Sequence, residues 1–375
     1  MVDTELKTEH EVREELDEKL RLARAERYYC QSVARVALPG ERVSICLRNR
    51  IRLPKADAVE DIKVWKHRKT LKAFFSGLMV CGSVWTCPVC AAKISERRRN
   101  ELKTAFDLHK KDGGYIALLT LTFSHKKFDR LEDILSAFAK ATKKFMSGKS
   151  YQNIRDEMGL IGRVRALEVT YGVNGFHPHA HIALFYTQRT DLEYMEKKMY
   201  DLWEKACDKF DLKVNSKYGL KLENGRNSDE YIAKHGRWGL DQELSKAHIK
   251  KPKDGSLQPF DFLKNYLATE DEKYLILFRE YAEHFKGKRQ LQWSRGLKKR
   301  FTLEEKTDDE LAKEKTEEAD LLGLIDYDVW KKILKNNHRS YFLDLCEKND
   351  FEEALNIVTS CFPQKKRQAP DKNLT

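Results

Sequence analysis

His177, His179 and His181 alternate with Pro178 and Ala180 and run directly into the apolar sequence Ile182-Ala183-Leu184-Phe185. In an extended strand the side-chain period is two, so three imidazoles at alternate positions share a face and can converge on one cation. A carboxylate from an adjacent strand completes such a group. Glu168, in the run Ala166-Leu167-Glu168-Val169-Thr170, is the best placed, because a turn at Gly172-Val173-Asn174-Gly175 makes the two segments antiparallel neighbours. Imidazoles plus one carboxylate, with positions left open, suit a catalytic divalent ion. The alternative is a polar sheet face of hydrogen-bonded histidines, but three of them in a hydrophobic strand are costly to bury without a ligand.

Tyr231 and Lys234 stand three residues apart in Tyr231-Ile232-Ala233-Lys234 and share a face if the segment is helical. Asn227-Ser228-Asp229-Glu230 precedes them and supplies a cap candidate and first-turn acids. A tyrosine beside a cation can serve as a phenolate nucleophile, because the cation favours the ionised form. In a chain with 15 tyrosines and 71 basic residues this spacing also arises by chance on a surface helix, so it gains weight only alongside other motifs. Asp229 and Glu230 read as capping acids or as activators of water.

Cys81, Cys87 and Cys90, with Pro88 inside the last pair, contain the Cys-x2-Cys half-site of a tetrahedral zinc, for which soft thiolates are suited. Spacing leaves the fourth ligand open between Cys46 and His67, with Cys46 preferred. A redox pair is the competitor, but it has no use for Cys81. A further stretch, 285–301 (FKGKRQLQWSRGLKKRF), holds seven Lys/Arg and no acid, interleaved with Phe285, Trp293 and Phe301. Lys286, Lys288, Arg289, Arg295 and Lys298 can neutralise phosphates, and Trp293 can stack on an unpaired base or simply be buried.

The elements that must position these residues follow from periodicity. Residues 1–28 read as a charged helix, 41–56 as strand-like and basic, and 94–109 as a helix with a basic face. Gly113-Gly114 breaks the chain before a buried strand over 115–123, followed by an amphipathic helix over 131–145. Strands are expected over 164–171 and 177–186, a helix over 191–210, and another from about 227. The order β-α-β-β-α points to an α+β domain with an antiparallel sheet rather than a doubly wound one. Residues 303–320 read as a charged linker or solvated helix, 327–358 as a small helical unit, and the last residues as disordered.

Length and charge bound the whole. The 375 residues carry a net +12, but 21–302 hold 56 basic and 34 acidic residues, a net of +22, while 1–20 and 303–375 each net −5. The basic middle favours a polyanion partner, and the acidic ends suit protein contacts or restraint of nonspecific binding. A hydrophobic content of 41% excludes a wholly disordered chain. No apolar run approaches the ~20 residues of a membrane span, and an acidic N-terminus is unlike a signal peptide. Eight cysteines are too few for a disulfide scaffold and fit a reducing compartment.

Taken in order, Thr120-Leu121-Thr122-Phe123, His177-Pro178-His179-Ala180-His181 and Tyr231-Ile232-Ala233-Lys234 resemble the three motifs of HUH endonucleases. With CGSVWTCPVCAAKI and QWSRGLKKRF, the chain is similar, over about 46–301, to the replication initiator (Rep) proteins of rolling-circle plasmids, the large family with a cysteine motif. The resemblance implies an HUH-like central antiparallel sheet flanked by helices, an N-terminal zinc-binding module and a small C-terminal helical region. The corresponding division is a charged extension over 1–40, the zinc module and basic helix over 41–100, a nicking-joining domain over 101–302, and an acidic linker with helices over 303–375.

The resemblance further implies that His179 and His181, assisted by His177 or Glu168, bind Mg2+ or Mn2+. Tyr231 would attack a phosphodiester of plasmid origin DNA, single-stranded or in a hairpin, leaving a 5′-phosphotyrosine and a 3′-OH for a host polymerase working with a host helicase. Lys234 would stabilise the phenolate or the phosphorane. Some members place a glutamate four residues before the tyrosine to activate water at termination; here that position is Asn227, and Glu230 or Asp229 would have to substitute. Two other readings compete: an HUH transposase or relaxase, and a non-catalytic zinc-containing DNA-binding regulator that needs neither the histidine strand nor Tyr231.

Overall fold

In the computed structural model the described residues are 9–54, 58–225, 255–313 and 318–362. The chain divides into two units, Met1–Ser44 with Val80–Glu314, and Ile45–Met79 with Lys315–Thr375. The first unit begins with α1 (Glu9–Ala37), and β1 (Ile62–His67) and β2 (Ala73–Ser76) belong to the second. The first resumes with α2 (Pro88–Lys111), β3 (Tyr115–Leu121), α3 (Leu131–Phe145) and α4 (Lys149–Met158). The hairpin β4 (Leu160–Gly172) and β5 (Gly175–Tyr186) follows, then α5 (Leu192–Asp208) and β6 (Leu220–Asn224). Later come α6 (Pro259–Thr269), α7 (Lys273–Phe285), β7 (Leu291–Trp293), α8 (Leu297–Arg300) and α9 (Asp308–Lys313). β8 (Ala319–Ile325), α10 (Tyr327–Lys335), α11 (Arg339–Lys348) and α12 (Phe351–Ser360) complete the second unit.

The first unit is built on a five-stranded antiparallel sheet of order β6-β3-β5-β4-β7, so the histidine strand β5 lies at its centre. Gly172 pairs with Gly175, leaving Val173-Asn174 as a two-residue turn, and Gly175 takes a φ of 85° that a side chain would resist. This register decides which residues share a face. Alternation puts His177, His179, His181, Ala183 and Phe185 on one side, with Glu168 opposite His179 and Thr120 opposite His181.

Further along the same face the sheet turns apolar. Ile116, Leu118, Val164, Ala183 and Phe185 pack with Leu102, Ala105 and Phe106 of α2. Cys87 caps α2 and Pro88 opens it, where its missing N–H costs nothing. Lys110 and Lys111 in the last turn suit the negative end of the helix dipole. α3 presents Leu131, Ile134, Leu135, Phe138, Ala141 and Phe145 at helical spacing, and Phe138 and Phe145 meet Trp203 of α5 edge-on. The Trp203 indole N–H donates to the Thr122 carbonyl at 2.9 Å, tying α5 to the end of the strand that carries Thr120.

The second unit contains a three-stranded sheet, β2-β1-β8, with β8 antiparallel to β1. Here one expectation is corrected. The strand-like reading of 41–56 gives way to a 3-10 helix, Arg42–Ile45, followed by turns and isolated bridges at Arg50 and Arg52. Leu47, with φ at 47°, interrupts any extended run, so Cys46 stands on a turn and no strand precedes it. Residues 303–320, read as a charged linker or solvated helix, include the short helix α9, with Leu311 and Ala312 buried, and the first residues of β8. Gly323 in that strand sits against Phe351, whose ring an added Cβ would overlap. The helices of 327–360 form as expected.

Candidate functional site

At the end of the sheet face away from α2, Glu168, His179 and His181 each offer one ligand atom, and these atoms lie within 4.8 Å of one another. The Glu168 Oε2 is 3.4 Å from His179 Nε2 and 3.8 Å from His181 Nε2. Two adjacent ligands at octahedral distances of about 2.1 Å from an ion lie about 3 Å apart, so modest adjustment closes this group on a cation. Both rings are held from behind. His179 Nδ1 donates to the His177 carbonyl at 3.1 Å, and His181 Nδ1 is 3.0 Å from Thr120 Oγ1. These contacts turn both Nε2 atoms toward Glu168, and the carbonyl partner of His179 Nδ1 leaves its Nε2 free for a metal, the kind of outer-layer support that metal-binding imidazoles use. Glu168 itself is only 4% exposed.

The electrostatics agree. Burial opposes protonation of His179, but the hydrogen bond to Glu168 and its charge outweigh burial, and the pKa rises above the ordinary value. The group is therefore a carboxylate and two imidazoles that compete for a proton and equally fit a divalent ion. His177 is not drawn into it. Its Nδ1 lies 3.0 Å from Nδ1 of His125, and burial, then the neighbouring His179 and His125, push its pKa down to about 3. A neutral ring packed on His125 and Phe123 supports the group from the side. His125 and Thr120 escaped the sequence reading of the site. Thr120 lies within the TLTF strand, and only the register that sets it opposite His181 gives it a role.

Tyr231, Lys234 and Glu230, with Asn227 and Asp229, lie outside the described residues.

The second ligand group lies in the first unit: Cys81, Cys87 and Cys90, all buried, with sulfur atoms within 4.8 Å of one another, while Cys46 is buried in the second unit. Cys81 Sγ and Cys90 Sγ are 3.6 Å apart, far beyond a disulfide and close to the about 3.8 Å edge of a tetrahedron with 2.3 Å metal–sulfur bonds. Cys87 Sγ accepts from the Cys90 N–H at 3.5 Å and from the Gln31 side-chain amide at 3.2 Å, donors that favour a thiolate. His67 is occupied otherwise: its Nδ1 accepts from the backbone N–H groups of Lys69 and Thr70 at 3.2 and 3.1 Å. The three sulfurs are a donor set that fits a thiophilic metal.

The basic stretch is divided by burial. Lys286, Lys288, Arg289 and Arg295 are exposed, although Lys286 pairs with Glu41 at 2.7 Å. Lys298 is 2% exposed, bonded to Glu101 at 3.0 Å and to the Glu304 carbonyl, so its charge braces α8 and does not face solvent. Phe285 and Phe301 are core residues. Trp293 is half-buried on β7, opposite Val164, with Lys298 5.6 Å from its ring centre. No helix among the described residues is long and apolar enough to cross a membrane.

Comparison with known proteins adds the following. A family model described as replication protein matches residues 78–342. Over 295 aligned residues the chain is 30% identical to Protein rep of Streptomyces lividans, covering 61% of this chain and 65% of that protein. Over 148 residues it is 30% identical to the Neomycin resistance protein of Streptomyces cyanogenus, covering 33% of this chain and 34% of that protein. The chain thus spans just under two thirds of the first relative and about a third of the second. No solved structure matches it.

Proposed function

The chain belongs to the replication-protein family of plasmid Rep initiators, and from that premise we propose that it starts rolling-circle replication as an HUH-type, metal-dependent nicking-joining enzyme. It binds the double-strand origin and acts on DNA exposed as a single strand or hairpin. The Tyr231 phenolate attacks a phosphorus, the P–O3′ bond breaks, and the departing 3′-oxygen takes up a proton. The products are a 5′-phosphotyrosine and a 3′-OH from which a host polymerase, preceded by a host helicase, extends. Attack of a later 3′-OH on the phosphotyrosine rejoins the strand and frees the tyrosine, so the phosphoester energy is conserved. Lys234 stabilises the phenolate, and Glu230 is the candidate to activate water.

Glu168, His179 and His181 hold the ion in this reading, with Thr120 and the His177 carbonyl fixing the rings. When bound there, Mg2+ or Mn2+ draws charge from the non-bridging oxygens of the scissile phosphate. The cysteine group holds a structural zinc. Lys286, Lys288, Arg289 and Arg295 contact the phosphate backbone, with Trp293 beside them. The observation that supports this reading most strongly is the convergence of Glu168 with two imidazoles, each held at Nδ1, inside the family match.

The test is nicking of a labelled single-stranded origin oligonucleotide in Mn2+. Replacing His179 and His181 together by Ala should cost at least about 10²-fold in rate. Undiminished cleavage by that variant would remove the metal assignment.

A further inference from the structure

At the other end of β4 the sheet edge carries an unusual concentration of charge. A cleft of about 400 Å³ is lined by Arg155 from the last turn of α4, Arg163 of β4, Arg295 just past β7, and Gln292, Trp293 and Ser294, with no acid in its wall. Arg165, two residues from Arg163 on the same face, adds a fourth guanidinium. Among the described residues no carboxylate pairs with any of the four. Burial first, and the neighbouring Arg163 charge second, lower the pKa of Arg165.

The cleft is also built rather than incidental. Ser294 Oγ accepts from the Arg163 N–H at 2.9 Å, which leaves its own hydrogen available to the cleft. Ser294 N–H donates to the Arg163 carbonyl at 2.9 Å, locking the floor. Gly162 keeps the wall open, since an added Cβ would lie 2.7 Å from a Leu297 methyl and 2.8 Å from Ser294 Oγ and displace them. Uncompensated guanidiniums held together in this way are stabilised by an anion that accepts several hydrogen bonds at once, and a phosphate does so in the bidentate geometry arginine favours.

We propose that this cleft is a phosphate-binding subsite for single-stranded DNA, separate from the Glu168–His179–His181 group. Arg163 is five residues from Glu168, about 17 Å along the strand, and the odd spacing puts it on the opposite face of β4 from the metal group. A DNA strand that reaches both must pass around the sheet, so the subsite anchors the backbone several nucleotides from the bond to be cut. This rests on the nicking reading for its purpose, but the binding it describes is measured without any cleavage.

The test uses the full chain without divalent ions and oligothymidylates from about 4 to about 16 nucleotides as the probe. Arg155→Gln with Arg163→Gln should lower affinity for the longer oligomers about tenfold or more, and reduce the salt slope by about 0.7 for each phosphate no longer neutralised. Arg163→Lys should retain most of the slope. Should the double variant fail to fold, as read by its thermal midpoint, exposed Arg295→Gln should reduce the slope by about 0.7. A folded variant with the parent's affinity and slope overturns the subsite. Covalent adduct formation at the origin with no effect of these substitutions on binding would refute the subsite alone; altered binding with no adduct would refute the nicking reading alone.

Discussion

Glu168 opposite His179 is a pair in which position in the register does most of the chemical work. The raised pKa of His179 means that, below it, the metal-free group holds a proton which a cation must displace. Metal affinity should therefore be full above that raised pKa and fall about tenfold per unit as pH drops below it, as Mn2+ titrations across pH will read. Thr120→Val removes the partner of His181 Nδ1 and should weaken metal binding about 10–100-fold while leaving the thermal midpoint near the parent's. His177→Phe should leave Mn2+ affinity within a few-fold, because that ring is turned to His125; a loss as large as that of His179→Ala would make it a ligand after all. The alternation of histidines and the choice of Glu168 were legible in the sequence, because period two and a two-residue turn leave little freedom. The supporting His125 and Thr120 were not, since their roles arise only when strands are paired and sequence spacing does not show pairing.

At the scale of elements, legibility followed the strength of the local pattern. α3 has the bounds expected of 131–145, where apolar spacing, first-turn Glu132 and Asp133 and last-turn Lys143 and Lys144 all agree. β8 was hidden, because ADLLGLI becomes a strand by pairing with β1, far away in sequence. α2 starts at Pro88 rather than Ile94, since the cysteine turn itself supplies its cap. Phe138 packs α3 on Trp203 and makes none of the hydrogen bonds that orient His179 and His181. Phe138→Ala should therefore cost about 3–5 kcal/mol in denaturant unfolding without altering metal affinity. For the cysteine group, metal analysis of purified protein should find zinc, and Cys81→Ser should abolish it and lower the thermal midpoint; metal-free native protein would favour a thiol role instead.

For the molecule as a whole, the net +12 is an average over a basic middle and two acidic ends, and the structure changes what the C-terminal end is for. Its residues supply β8 to the sheet containing β1, so the region is a folding partner of 45–79 as well as a source of negative charge. Deleting 315–375 should accordingly make 45–79 sensitive to limited proteolysis, whereas a mere charged appendage would leave it protected. The basic middle contains both the metal group and the arginine cleft, and the family match spans them. What binds these parts into one activity is the covalent step assigned to Tyr231. Mass spectrometry of the protein incubated with single-stranded origin DNA and Mn2+, then digested, reads that step directly. The expected result is a deoxynucleotide joined through its 5′-phosphate to the peptide containing Tyr231. Attachment to another residue, or cleavage with no attached nucleotide, would contradict it.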